Sequence, residues 1–220
     1  MDEVERAQVQ SSRRGLVTRA AENPLAGFIP WIIFWVVASS PSSWEYGAMG
    51  AALAAVILAL PSASRRRPKI LDIATIVFFV AVAVIGAVVG AKDRDWLDRW
   101  SMVLSSGALG LIALGSLAFV PFTEQYAREQ TPPELWGTPV FRRINRVLTL
   151  VWGLAFLATA VLGCIAVIAP STSDWTNWIL PIVLIVGAFK FTARYPQRAG
   201  ASGGEMHSQV SRAAGAEEDA

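Results

Sequence analysis

The sequence predicts an all-α, polytopic membrane protein of six transmembrane helices, and three observations carry that prediction. Hydrophobic residues make up 54% of the chain and charged residues only 16%, against roughly 25% charge in a soluble domain. The apolar residues gather in six runs, most of them close to the about 20 residues needed to cross the hydrocarbon core. Lysines and arginines collect at one end of these runs, the distribution that orients membrane helices.

The runs are 25–40, 44–60, 70–90, 101–120, 144–168 and 175–191, within a transmembrane domain of 23–196. Ahead of them lies a charged tail, 1–22, with Arg6, Arg13, Arg14 and Arg19. The first connection has no basic residue, and the second has Arg65, Arg66, Arg67 and Lys69. In the third, Lys92, Arg94 and Arg99 are offset by Asp93, Asp95 and Asp98; the fourth has Arg128, Arg142, Arg143 and Arg146; the fifth has none. The last segment has Lys190, Arg194, Arg198 and Arg212. Six spans with both termini cytoplasmic satisfy this pattern, and removing any one helix breaks it.

Tryptophans agree: Trp44, Trp96, Trp100, Trp175 and Trp178 fall at the three outward turns, where amphipathic rings favour the interface. Trp31, Trp35 and Trp152 lie inside spans, the first two sharing a helix face. Acidic residues before the first span (Asp2, Glu3, Glu5, Glu22) argue against a cleaved secretory signal.

Helix ends carry local marks. Asn23-Pro24 reads as an N-cap with proline in the first turn, and Ser42 with Glu45 as a capping box. Ser173 or Asp174 is placed to cap the sixth span, and Pro181 to kink it. The longest connection, 123–143, is an amphipathic cytoplasmic segment. Thr131-Pro132-Pro133-Glu134 predicts a short helix ended by Gly137, and Thr138-Pro139 opens the next. Trp136 is positioned to rest on the membrane surface, with Arg142 and Arg143 at anionic headgroups. An ordinary linker that only sets topology fits the same residues. The final stretch, 197–220, is small and polar and predicts a disordered cytoplasmic tail.

A faint repeat links the second and third helix pairs. Asp95-Trp96 with Trp100 matches Asp174-Trp175 with Trp178, and Ala118-Phe119 matches Ala188-Phe189. This suggests three tandem helical hairpins, although interfacial tryptophans recur for physical reasons alone. Gly86 and Gly90, with Ser106, Gly107, Gly110 and Gly115 in the next span, form small-residue patterns suited to close helix contact.

The candidate site residues are few. Cys164 is the one cysteine and His207 the one histidine, so no disulfide, no metal site and no cofactor is expected. No set of residues at membrane depth points to an enzyme. Charges near the bilayer are the better candidates. Asp72, Asn145, Arg146 and Lys190 form a candidate polar cluster, with Asp72 and Arg146 at matching positions of the repeat. Snorkelling of the basic groups to the headgroups is the simpler alternative. Tyr126, Arg128, Glu129, Trp136, Arg142 and Arg143 form a candidate interaction segment.

The segment from Trp96 to Ala166 has a recognisable shape. A charged turn leads to an apolar span, a proline-rich stretch with Trp136, then Phe141-Arg142-Arg143-Ile144-Asn145-Arg146 and Trp152-Gly153-Leu154-Ala155-Phe156. This resembles the tryptophan, asparagine and W-G-x-x-F arrangement of the intracellular septation protein A family and related bacterial membrane proteins. The resemblance implies a multi-pass plasma-membrane protein linked to envelope processes, with no established chemistry. The expected function is therefore a non-enzymatic envelope-associated structural or interaction protein, the alternative being a small-solute transporter or channel. Its expected partners are the lipid bilayer and other membrane or envelope proteins, or a second copy of itself, and no nucleic acid.

Overall fold

The computed structural model describes residues 26–38, 43–64 and 69–218, and every regular element among them is helical. Seven α-helices follow in order: α1 Ile29–Val37, α2 Trp44–Ser64, α3 Ile70–Val88, α4 Ala91–Ser116, α5 Phe122–Gln130, α6 Pro139–Ile168 and α7 Leu180–Glu218. The expected features at 1–22, Asn23-Pro24, Ser42 and Arg65–Arg67 lie outside the described residues.

Three stretches are long and apolar enough to cross a membrane: α3, α6 and Asp174–Ala199. Trp44–Leu60 is apolar but shorter. These helices turn large apolar side chains outward, among them Leu53, Val77, Val84, Leu154, Val161 and Ile182. Such a surface is at home in lipid and unfavourable in water. Of the three stretches α6 is the most enclosed, with 44% of its apolar window buried against 22% for α3 and 17% for the last.

α1–α4, α6 and α7 alternate in direction, giving the bundle a floor, where Lys69, α5 and Pro139 lie, and a roof, where Ala38, Gly90 and Ile168 lie. At the roof, Gly47 meets Ala38 and Gly86 meets Trp44. Nearer the floor, Pro30, Ala55, Leu58 and Thr75 close on one another. Contacts divide the helices into two triplets, α1–α2–α3 and α4–α6–α7, while α3 and α4 touch little. The α3–α4 pair is thus splayed and the α6–α7 pair closely packed, so the two hairpins of the suggested repeat differ in packing.

The α4–α6 seam is the most extensive. It is built by reciprocal insertion of large side chains at glycines. A Cβ on Gly110 would stand 2.7 Å from Leu157 Cδ2 and 3.1 Å from Leu157 N. A Cβ on Gly153 would collide with Leu114, and one on Gly163 would come within 3.0 Å of Val103. The small-residue pattern therefore serves α4 against α6 rather than α4 against α3. Gly86 instead accommodates Trp44, and Gly90 and Gly115 have no neighbour within 4 Å of an added Cβ.

An aromatic core joins the triplets. Trp31 stacks on Phe78 at 4.9 Å, Phe34 lies 5.4 Å from Phe79, and Phe28 stacks on Trp152 at 5.1 Å. Each of the three tryptophans inside the spans donates its indole N–H to a hydroxyl on another helix. Trp31 donates to Thr75 at 3.0 Å, Trp35 to Ser105 at 2.9 Å and Trp152 to Thr192 at 3.0 Å. Trp44, expected at the interface, is buried against Phe34 instead, whereas Trp96, Trp175 and Trp178 are exposed as expected.

Several boundaries follow from side-chain chemistry. Thr138 caps α6, its hydroxyl accepting from Phe141 N at 3.3 Å, with proline at the first turn as expected. α4 ends at Ser116, short of the expected 120. The Ser116 hydroxyl donates to Ala113 O and accepts from Phe122 N, turning the chain into α5. The capping box expected at Thr131 does not form; Pro133–Leu135 is a single 3-10 turn, and Trp136 Nε1 donates to Thr131 O at 2.9 Å.

Neither Ser173 nor Asp174 caps the last span. A π-helical turn, Asp174–Ile179, leads into it, with Leu180 N bonding Trp175 O. Proline lacks the N–H that an α-helical position would donate, and its ring clashes with the carbonyl four residues back. The wider π register ahead of Pro181 absorbs that conflict. α7 then continues as helix to Glu218, through the stretch whose composition predicts disorder.

The interlock makes a direct prediction. Gly110→Ala should destabilise the bundle by about 1–3 kcal/mol through overpacking, whereas Gly115→Ala should be neutral or stabilising by up to about 1 kcal/mol. Thermal unfolding in detergent, read by loss of the monodisperse peak, compares them; equal midpoints would remove the interlock.

Candidate functional site

The polar groups near the floor assemble around α5. This helix is amphipathic, with Phe122, Glu124 and Tyr126 buried. Phe122 meets Phe28 edge-on at 6.3 Å. The Thr123 hydroxyl bonds Asn145 O and lies 2.8 Å from Thr149 Oγ1, tying α5 to α6. Gln125 ties it to α3: Oε1 accepts from Ile70 N at 2.7 Å and Nε2 donates to Val120 O at 2.9 Å. Ile70 N is one of the first-turn donors that a helix cannot satisfy internally.

Tyr126 is the centre of the arrangement. Its ring is 2% exposed, and its hydroxyl donates to Asp72 Oδ1 at 3.0 Å. The Lys69 ammonium lies 4.0 Å from the ring centroid and 3.0 Å from Glu129 Oε2. Lys69 is itself only 4% exposed, so its charge is held by an acid and a ring face. A Cβ on Gly27 would strike the Tyr126 hydroxyl, so this residue type is required where the chain enters α1. Burial, first, and then the Asp72 charge and hydrogen bond push the Tyr126 hydroxyl well above the ordinary value of about 10. The Glu129 charge adds to this.

A second pairing flanks the first. Arg128 bonds the buried Glu124 at 2.6 Å, one turn earlier, and its guanidinium lies 5.2 Å from the Trp136 ring centroid. Trp136 is thus part of the folded segment, half-buried against Arg128. The outward side of the same segment exposes Leu135 and Val140.

The four residues of the expected polar cluster are not brought together. Asp72 faces Tyr126. Asn145 is buried and donates to Phe141 O, one turn back on its own helix. Arg146 and Lys190 are exposed, as snorkelling groups would be, and Arg146 forms no ion pair with Asp72. Of the expected interaction segment, Tyr126, Arg128, Glu129 and Trp136 belong to the α5 network, and Arg142 and Arg143 are exposed at the start of α6. The sequence reading missed Lys69, Gln125 and Thr123 as members of the network. Their partners lie 60, 55 and 22 residues away, and no local spacing encodes such pairs.

The hollow beside Asp72, lined also by Gly27 and Thr75, measures only about 10 Å³, room for about one water molecule. The large cavity is at the roof, about 710 Å³, between α1, α4, α6 and the start of α7. Among the described residues no three His, Cys, Asp or Glu side chains are grouped to hold a metal. Cys164 is a free thiol, half-buried in α6.

Comparison with protein-family models, curated proteins and solved structures finds no match to this chain. The site is therefore read from its own geometry.

Tyr126→Phe should destabilise the protein by about 1–3 kcal/mol, the cost of a lost hydrogen bond to a buried charged partner. Because folding raises the Tyr126 value, its contribution is complete below the unfolded-state value near 10 and is lost as pH rises through the folded one. Stability measured from pH 8 to 11 in detergent should fall above about pH 10 in the wild type and less steeply in Tyr126→Phe. Parallel curves would exclude the linkage.

Proposed function

We propose that this chain is a six-span plasma-membrane protein with both termini cytoplasmic, acting as a non-enzymatic structural or interaction component of the cell envelope. The observation that carries the reading is the construction of the floor. Residues 122–141 are not a slack connection: Tyr126, Lys69, Gln125 and Thr123 fasten α5 to two different helices. Their polar groups are consumed by one another, which leaves little to bind or activate a substrate there. What remains outward is a shaped ridge carrying exposed Leu135 and Val140 beside Arg142 and Arg143. A hydrophobic tip ringed by charge suits a protein partner or the headgroup layer. The resemblance to the septation protein A family supports an envelope role of this kind.

The six-span reading adds α1, α2 and α4 to the three long apolar stretches. α1 and α4 are fastened within the bundle by Trp31, Trp35 and the glycine seam, and α2 by Gly47 against Ala38 and Trp44 against Gly86. In α4 the charged turn Asp93–Arg99 lies before the apolar part, so the helix reaches from the roof surface inward. Small-solute transport is the second reading, favoured by the roof cavity of about 710 Å³ among the helices.

Two experiments separate these statements. In a Cys164→Ala background, single cysteines at Gly90 and Asp174 should react with a membrane-impermeant maleimide in intact cells. Cysteines at Glu134 and Gly137 should react only after permeabilisation. Labelling of all four from one side would refute six spans. A photo-crosslinking residue at Leu135 or Val140 should give a discrete protein adduct in membranes, which the same probe at lipid-facing Leu150 should not. Identical patterns at all three positions would remove the ridge as a docking surface.

A further inference from the structure

The roof cavity has a mixed lining. Phe34, Trp35 and Met102 give it an apolar wall, and Asp98, Arg99 and Asn177 bring polar groups to it. Exposed Trp178 and Ile182 stand at its rim. Thr159 lines it from nine residues below the end of α6, ~14 Å down at 1.5 Å per residue. The cavity therefore starts at headgroup level and reaches well into the apolar zone.

One of its polar atoms is a buried acceptor without a donor, and a carboxyl lines the same cavity. Asn177 Oδ1 is buried with no hydrogen-bond partner among the described residues. The Asp98 carboxyl is held above its ordinary range, by partial burial first and by the neighbouring Asp95 charge second. Buried polar atoms in folded proteins are nearly always paired, and an exception calls for a reason. A donor-bearing cation placed between Asp98 and Asn177 would satisfy both. Arg99 supplies one positive charge to the same lining, which an anionic group beside that cation would meet.

A second hollow adjoins the first and shares Phe34 and Ser101 with it. Its volume is about 450 Å³, and its remaining lining is apolar, from Phe78 and Val82 on α3 to Leu104 and Leu111 on α4. It occupies the splayed α3–α4 seam, where two apolar helices leave space that water would fill unfavourably. A chamber of mixed lining beside an apolar one suits a headgroup with a chain.

We propose that the roof cavity binds a phospholipid whose headgroup carries a primary ammonium next to its phosphate. The ammonium lies between Asp98 and Asn177 Oδ1, the phosphate meets Arg99, and an acyl chain occupies the α3–α4 hollow. The occupant comes from the leaflet that meets the roof end of the bundle. Phosphatidylglycerol could offer a hydroxyl to Asn177, but its uncompensated negative charge would stand against Asp98. A quaternary ammonium has no N–H for Asn177.

The test is native mass spectrometry of the full chain in detergent, with phosphatidylethanolamine, phosphatidylcholine and phosphatidylglycerol of identical chains at equal concentration. The wild type should retain phosphatidylethanolamine about tenfold over either competitor, the size of one charge-assisted hydrogen bond. Asp98→Asn and Asn177→Leu should each bring the ratios to within about twofold while the lipid-free melting temperature is kept. Asp98→Asn is close to isosteric at a half-exposed position, and Asn177→Leu removes an unpaired atom, so both should fold. Equal retention of the three lipids by the wild type would overturn the proposal, as would a preference that survives both substitutions. Displacement by chainless phosphoethanolamine at the same concentration would overturn it too, by showing a soluble zwitterion to be the ligand.

Discussion

A tryptophan enclosed between helices carries one polar atom and has no water to give it to. Trp31 is fully buried, so its N–H bonds within the protein or costs roughly 1–3 kcal/mol. The Thr75 hydroxyl meets it, which fixes the rotation of α1 against α3. One turn later Trp35 makes the same bond to Ser105 and fixes α1 against α4. A hydrogen bond between helices adds to their apolar packing a directional constraint on rotation. The short α1 is thereby keyed to both triplets, and its Phe34 lines both cavities.

The floor follows the same logic with charges instead of indoles. Burying Lys69 is costly unless its charge is met, and Glu129 and the Tyr126 face meet it. The two partners lie on α5, so the cost of exposing Lys69 is also the cost of lifting α5. The segment between α4 and α6 is held down by the groups that its departure would strand.

Much of this was legible in the sequence. The apolar runs announce helices, Thr138-Pro139 announces the start of α6, and Trp31 and Trp35 announce a shared face, because each signal lies within a few residues. The site was legible in part: Tyr126, Arg128, Glu129 and Trp136 were singled out because their segment is polar, aromatic and proline-rich. Their partners were not. Asp72 was matched to Arg146 by position in a repeat, and it faces Tyr126 instead. The hydroxyl opposite each tryptophan, the fit of Gly110 to Leu157 and the enclosure of Trp44 depend on helix order and rotation, which a single sequence does not encode locally. Asn177 gave no signal, since an asparagine near a helix start reads as an ordinary polar turn residue.

The π-helical turn before Pro181 has a geometric consequence. It houses an additional residue within what would otherwise be one α-helical coil, so the faces before and after it are out of phase. Each α-helical residue advances the face by about 100°, and deleting one residue between Asp174 and Ile179 would rotate everything upstream by about that angle. Asn177 and Trp178 would leave the cavity wall, and Pro181 would be forced into a register that its ring does not fit. The phase of this one turn thus sets both the continuity of the last helix and the chemistry presented at the roof.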